Sequence, residues 1–186
     1  MFCIGTELGS FVDMRRSYWL KLIQEIKKVY SGKLTYASNW DDCRDVYFWQ
    51  ELDFIGVDAY FPLSNSKTPE KQELINGWKS HKALLSNLSK INHRKVLFTE
   101  YGYRSIDYTG KEPWQSNYEQ SAPNFDAQYN AYEALFEVFW SENWFAGGFI
   151  WKWFPDDAKT GGKTCNRFTP QNKPVEDLIS RHYLTK

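Results

Sequence analysis

Two glutamates at the ends of apolar runs are where chemistry in this chain would begin. Val96-Leu97-Phe98 leads through Thr99 into Glu100, and Tyr101-Gly102-Tyr103 follows. Phe2-Cys3-Ile4-Gly5-Thr6 leads in the same way into Glu7. A short apolar run without alternation suits a parallel strand covered on both faces. The carboxyl end of such a strand is where α/β sheets place reactive groups. Two carboxylates delivered to one face by two strands are the minimal equipment for acid/base work on a glycosidic bond. Taken singly, either glutamate can equally be the first residue of a loop.

The elements that would position them follow in order. The first strand is Phe2 to Thr6. Asp13 is placed to cap a helix with Trp19, Leu22, Ile23, Ile26, Val29 and Tyr30 at helical spacing, closed by Ser31-Gly32. Leu34 to Ala37 makes the second strand, ending in Ser38-Asn39-Trp40-Asp41, and a short helix is predicted from Val46 to Leu52. Phe54 to Val57 makes the third strand, ending in Asp58-Ala59-Tyr60. Thr68-Pro69-Glu70 opens a helix with Trp78, Leu84, Leu85, Leu88 and Ile91 inward. The Val96 run is the fourth strand. A polar loop, Arg104 to Asn124, then leads to a helix through Tyr129, Tyr132, Leu135, Phe136, Phe139 and Trp140. Gly147 to Trp151 is the fifth strand, and Pro174 opens a last helix through Leu178, Ile179 and Tyr183. Strand and helix alternating five times predict an α/β fold with a parallel sheet and right-handed crossovers.

The strand ends are unequal. One set carries Glu7, Asn39, Trp40, Asp58, Tyr60, Glu100, Tyr103, Trp151 and Lys152; the other carries Lys33, Asp53, Arg94-Lys95 and Ala146-Gly147. One loaded end and one plain end is the polarity of a (β/α) barrel enzyme. Each residue also has a plain structural role open to it: Asn39 as a turn cap, Tyr60 as core rim, Trp151 packed beneath a loop.

Composition narrows the function classes. The 23 basic and 23 acidic residues balance, so no field steers the chain toward nucleic acid or an anionic membrane. No segment approaches the roughly 20 apolar residues that cross a bilayer. The nine Trp include Trp19, Trp78 and Trp140, which read as core. Others sit beside polar or turn residues and suit a groove that stacks on sugars. Cys3, Cys43 and Cys165 lack metal-ligand spacing and read as free thiols, so no metal is assigned. Met1 leads straight into a strand without a secretory signal. Localisation stays open: cytoplasmic for the chain as given, secreted if a missing upstream part carries the signal.

With these motifs in place, the chain resembles the carboxyl-terminal part of a retaining glycoside hydrolase of the large TIM-barrel clan, and most resembles family 113, the endo-β-mannanases. Ile4-Gly5-Thr6-Glu7-Leu8, Ala37-Ser38-Asn39-Trp40-Asp41 and Ile55-Gly56-Val57-Asp58-Ala59-Tyr60-Phe61-Pro62 carry the likeness. So do Thr99-Glu100-Tyr101-Gly102-Tyr103-Arg104-Ser105, Gly148-Phe149-Ile150-Trp151-Lys152-Trp153 and the tail Phe168 to Pro174. The resemblance implies a partial (β/α)8 barrel, a single incomplete domain over 1–186 holding strands four to eight and lacking the first three units. It implies Glu7 as acid/base and Glu100 as nucleophile in a double displacement on a β-linked polysaccharide such as β-1,4-mannan. Roughly 5–5.5 Å would separate the two carboxyls. Burial and the Glu100 charge are expected to help Glu7 keep its proton, and Tyr60 to hydrogen-bond the nucleophile. Asn39, Trp40, Asp58, Tyr60, Tyr103, Trp151, Lys152 and Trp153 are the expected substrate contacts, with Trp151 as the platform under the sugar. Thr6 stands where much of the clan has Asn, so the contact to the sugar 2-hydroxyl is expected to differ. A barrel of eight strands needs about 250 residues; five strands leave open edges that invite self-association. The alternatives of another class are a non-catalytic carbohydrate-binding half barrel and an inactive fragment.

Overall fold

A computed structural model describes residues 1–117 and 121–185. It contains five strands, β1 (Phe2–Thr6), β2 (Leu34–Asn39), β3 (Phe54–Asp58), β4 (Lys95–Tyr101) and β5 (Phe145–Ile150), in the sheet order β1-β2-β3-β4-β5. The pairs β1·β2, β2·β3 and β3·β4 are parallel. The helices are α1 (Gly9–Met14), α2 (Arg16–Val29), α3 (Lys71–Asn92), α4 (Phe125–Phe139) and α5 (Val175–Thr185). Sequential order in a parallel sheet with intervening helices is the α/β architecture expected of part of a TIM barrel.

The chain divides into two compact units. The first comprises Met1–Ala59, Leu84–Glu100 and Asn143–Gly148; the second comprises Tyr60–Ala83, Tyr101–Glu142 and Phe149–Lys186.

In the first unit, Trp19 of α2 stacks on Phe48 with centroids 5.3 Å apart and meets Tyr36 of β2 edge-on at 5.5 Å. These rings are fully buried and cover the sheet. Gly56 lets β3 lie against β2: a Cβ there would fall 2.1 Å from the Tyr36 carbonyl oxygen. At the plain end, Asp53 accepts from Lys33 Nζ at 2.7 Å and from the Leu34 amide at 2.9 Å. Those bonds, with the Lys33 charge, pull its carboxyl below the ordinary value against the opposing effect of burial.

The second unit is built on aromatic contacts. Trp78 of α3 packs against Phe61 at 5.4 Å and Phe139 of α4 at 4.9 Å. Phe136 stacks on His182 of α5 at 4.3 Å, and the Trp140 indole donates to the His182 carbonyl at 2.9 Å. Tyr132 is buried between Tyr101 and Tyr103.

Several local expectations are corrected. Asp13 lies inside α1 instead of capping α2, and α2 starts after a break at Arg15 without a side-chain cap. No α-helix spans Val46 to Leu52; the segment forms only a 3-10 turn at Trp49–Glu51. Its apolar residues Val46, Phe48, Trp49 and Leu52 are nonetheless buried, and the Trp49 indole donates to the Cys43 carbonyl at 2.8 Å. α3 begins at Lys71, after Pro69. Val29 and Ile91 face solvent instead of the core. β2, β3 and β4 each run further than their apolar residues, so Asn39, Asp58 and Glu100 lie within strands. The 104–124 loop is irregular where described; residues 118–120 of it lie outside the described residues.

Candidate active site

The first unit holds Glu7, Asn39, Trp40, Asp58 and Glu100. Asn39, the last residue of β2, is in register with Asp58, the last of β3, and Asp58 is in register with Glu100 of β4. Glu7 directly follows β1, and its amide donates to the Ala37 carbonyl at 2.8 Å. Glu7 has φ 53°, the left-handed region that few non-glycine residues occupy. A non-glycine residue held there stores backbone strain of the kind that clusters at active sites. The Leu8 amide donates to the Tyr36 hydroxyl at 2.7 Å, fixing the turn that Glu7 begins.

The β3·β4 register slips by one residue at the site. Val57 pairs with Phe98 and Asp58 with Glu100, so Thr99 is the extra residue of a bulge. The Thr99 hydroxyl donates to Asp58 Oδ1 at 2.7 Å, and the Ala59 amide donates to the Glu100 carbonyl at 2.7 Å. Bulges re-aim side chains beside active sites.

The electrostatics centre on Asp58. It is 0 % exposed, and its Oδ2 has no hydrogen-bond partner among the described residues. Burial first, then the charges of Glu100 and Glu7, push its carboxyl up to about 7, against the opposing Thr99 bond. Both glutamates thus lie within electrostatic reach of one buried carboxyl. Burial likewise pushes the Tyr36 phenol up to about 12, so it remains a neutral donor and acceptor. Glu100 is half-buried, whereas Glu7 is exposed. The burial expected to help Glu7 keep its proton is therefore absent here.

Asn39 and Trp40 are half-buried at the loaded end. Asp58 has no surface left to touch a sugar, which corrects its expected role as a substrate contact.

Tyr60, Tyr103, Trp151, Lys152 and Trp153 belong to the second unit. Tyr60 is 6 % exposed, with Phe168 edge-on to its ring. Tyr103 is 1 % exposed against Tyr132, and its carbonyl accepts from the Gln128 amide at 2.8 Å. It is a core residue, which corrects its assignment to substrate. Trp151 and Trp153, at 41 % and 49 % exposure, keep accessible faces. Lys152 Nζ lies over Trp151 at 5.3 Å and over Phe154 at 4.9 Å. The Trp151–Lys152 peptide is cis. Gly102 admits this segment: a Cβ there would fall 2.0 Å from the Trp151 carbonyl oxygen. The buried Gln171 amide both accepts from the Phe154 amide at 2.7 Å and donates to its carbonyl at 3.0 Å.

A cavity of about 330 Å³ is lined by Arg104, Ile106, Asp107, Lys111, Glu112 and Asn117, among others. Neither Glu7 nor Glu100 lines it, so position in the sheet and charge, not cavity size, identify the candidate site.

Sequence reasoning missed Thr99 and Tyr36. The signal for Thr99 was a hydroxyl directly before the glutamate; that for Tyr36 was its place on a strand next to β1. Among the described residues no cluster of three or more His, Cys, Asp or Glu side chains is arranged to hold a metal ion, and no helix is long and apolar enough to cross a membrane.

The sequence profile of Glycoside Hydrolase Family 113 matches residues 1–169. Among curated proteins none matches the chain. Among solved structures, the GH113 β-mannanase AaManA of Alicyclobacillus acidocaldarius, in complex with ManMIm, is similar at 26 % identity and TM-score 0.82 over 100 % of this chain and 55 % of that one. A GH113 β-1,4-mannanase in a complex structure is similar at 25 % identity and TM-score 0.84, over 100 % of this chain and 56 % of that one. A β-glucuronidase of Ruminococcus gnavus, at 16 % identity and TM-score 0.66 over 94 % of this chain and 29 % of that one, shares the fold alone. The chain spans little more than half the length of the mannanases it matches.

Proposed function

Because this chain belongs to Glycoside Hydrolase Family 113, we propose that it carries the catalytic pair of a retaining glycoside hydrolase acting on β-1,4-linked mannan. Glu100 is the nucleophile and Glu7 the acid/base. In the first step the Glu100 carboxylate attacks the anomeric carbon while Glu7 gives its proton to the departing glycosidic oxygen. In the second, Glu7 takes a proton from water, and that water releases the sugar from the Glu100 ester. Neither step requires a metal or an organic cofactor.

The observation that carries this reading is the placement of both glutamates at the carboxyl ends of strands in one sheet, within electrostatic reach of Asp58. The mannan substrate is drawn from the mannanases to which the chain is similar. Trp151 and Trp153 supply stacking faces of the kind sugars bind.

Replacing Glu100 with Gln is expected to remove reducing-sugar release from β-1,4-mannan, with a loss of about 10³-fold or more. Glu7→Gln should slow an unactivated substrate by about 10²–10⁴-fold. Unchanged turnover in Glu100→Gln would end the reading.

The exposure of Glu7 favours a second reading, carbohydrate binding without turnover. Calorimetry with manno-oligosaccharides beside the turnover assay separates the two. Heat of binding with no sugar released supports the second.

A further inference from the structure

We propose that Asp58 is a positioning residue of this site: held as a neutral carboxylic acid, it clamps the bulge at Thr99 and so fixes Glu100 in the row Asn39, Asp58, Glu100. The inference deepens the proposed function and rests on it.

The geometry comes first. A bulge leaves its extra residue without a ladder partner, and such a residue needs another anchor to stay in one conformation. Thr99 has one, because its hydroxyl donates to Asp58 Oδ1 at 2.7 Å. Asp58 also stands at the end of β3, where the next amide, that of Ala59, donates to the Glu100 carbonyl at 2.7 Å. Glu100 is thus tied from its own carbonyl and from the residue before it.

The protonation state follows from burial and partners. Asp58 is 0 % exposed, accepts one bond from a neutral hydroxyl, and leaves Oδ2 without a partner among the described residues. A buried carboxylate needs a cation or several donors to offset desolvation. The groups acting on Asp58 from its neighbours are Glu7 after β1, Tyr36 on β2, and Thr99 and Glu100 on β4. None of them is a cation, and the two glutamates oppose a further negative charge. Burial, with the charges of Glu100 and Glu7, pushes its carboxyl up to about 7, so Asp58 is mostly the neutral acid below that pH.

The test is infrared spectroscopy of the whole chain labelled with carboxyl-¹³C aspartate, titrated across neutral pH. A protonated carboxyl band is expected at about pH 6, where an ordinary aspartate is ionised. It should be missing in Asp58→Asn and fade on passing through neutrality in the wild type. Glu100→Gln should move the conversion to lower pH by roughly half a unit or more, because a like charge has been removed. Glu7→Gln should move it the same way by less. Thr99→Val should move it upward, because the bond favouring the ionised form is lost. The infrared band does not depend on turnover, so its outcome and that of the mannan assay are separable. No protonated aspartate band in the wild type at about pH 6 would overturn the proposal. A conversion that Glu100→Gln leaves in place would also overturn it, since a merely packed aspartate would behave so.

Discussion

Asp58 makes a prediction about folding as well as about the site. Its carboxyl is raised from 3.8 to about 7 in the folded chain. A raised acid binds its proton more tightly folded than unfolded, so its contribution to stability is complete below about pH 4 and is lost as pH rises through about 7. The Asn variant has no such dependence. Urea midpoints of wild type and Asp58→Asn should therefore diverge between about pH 4 and 8, the wild type losing ground by up to roughly 4 kcal/mol. A constant difference across that range would contradict the burial argument. The cysteines offer a second check. Cys43 is buried and its thiol pushed up to about 12, mainly by desolvation, whereas Cys3 is exposed. Alkylation at about pH 8 should label Cys3 quickly and leave Cys43 unmodified until the chain unfolds.

What could be read at this scale was residue type against local pattern. A glutamate one threonine beyond an apolar run stands out in the sequence, and both Glu7 and Glu100 have that setting. Whether a polar residue at a strand end faces a ligand or the interior is decided by neighbours far away in sequence. Tyr103 was read as a ligand contact and is enclosed by Tyr132 and Gln128. Asp58 was read the same way and is enclosed beside Thr99. The bulge that gives Thr99 its role is a property of register between two strands, which no single segment records.

At the scale of elements, parallel strands were legible because they are short, apolar and closed by polar or glycine residues. Helices were legible where spacing ran over several turns, as in α2, α3 and α4. The segment from Val46 to Leu52 misled because buried aromatic and β-branched residues look periodic over so short a span. Those residue types are weak helix formers, and Trp49 is held by a bond to Cys43 instead. Ile91 and Val29 lie in the last turns of their helices, where hydrophobic periodicity outlasts the core beneath it. The sheet itself makes a prediction at Gly56. Alanine there would place its Cβ 2.1 Å from the Tyr36 carbonyl oxygen, a contact that only backbone movement relieves. Gly56→Ala should cost about 1–3 kcal/mol, read as a lower urea midpoint. An unchanged midpoint would mean that β2 and β3 are less tightly held than described.

At the scale of the molecule, the family was legible because its motifs fall in order along nearly the whole chain. The chain covers 55 % of AaManA, and β1 and β5 end its sheet order. Unpaired strand edges are templates for pairing with another chain. Sedimentation velocity should therefore show association that grows with concentration; a single monomeric species at every concentration would count against open edges of that kind.

The central claim is the pairing of Glu7 with Glu100, and the covalent step tests it most directly. A β-mannosyl fluoride with fluorine at carbon 2 supplies a leaving group that needs no acid, so the Glu7→Gln chain should still form the ester and release it slowly. Mass spectrometry of the digested chain should find one fluoromannosyl group on the peptide 95–101, at Glu100. An unmodified peptide, or a sugar on any other residue, would contradict the assignment.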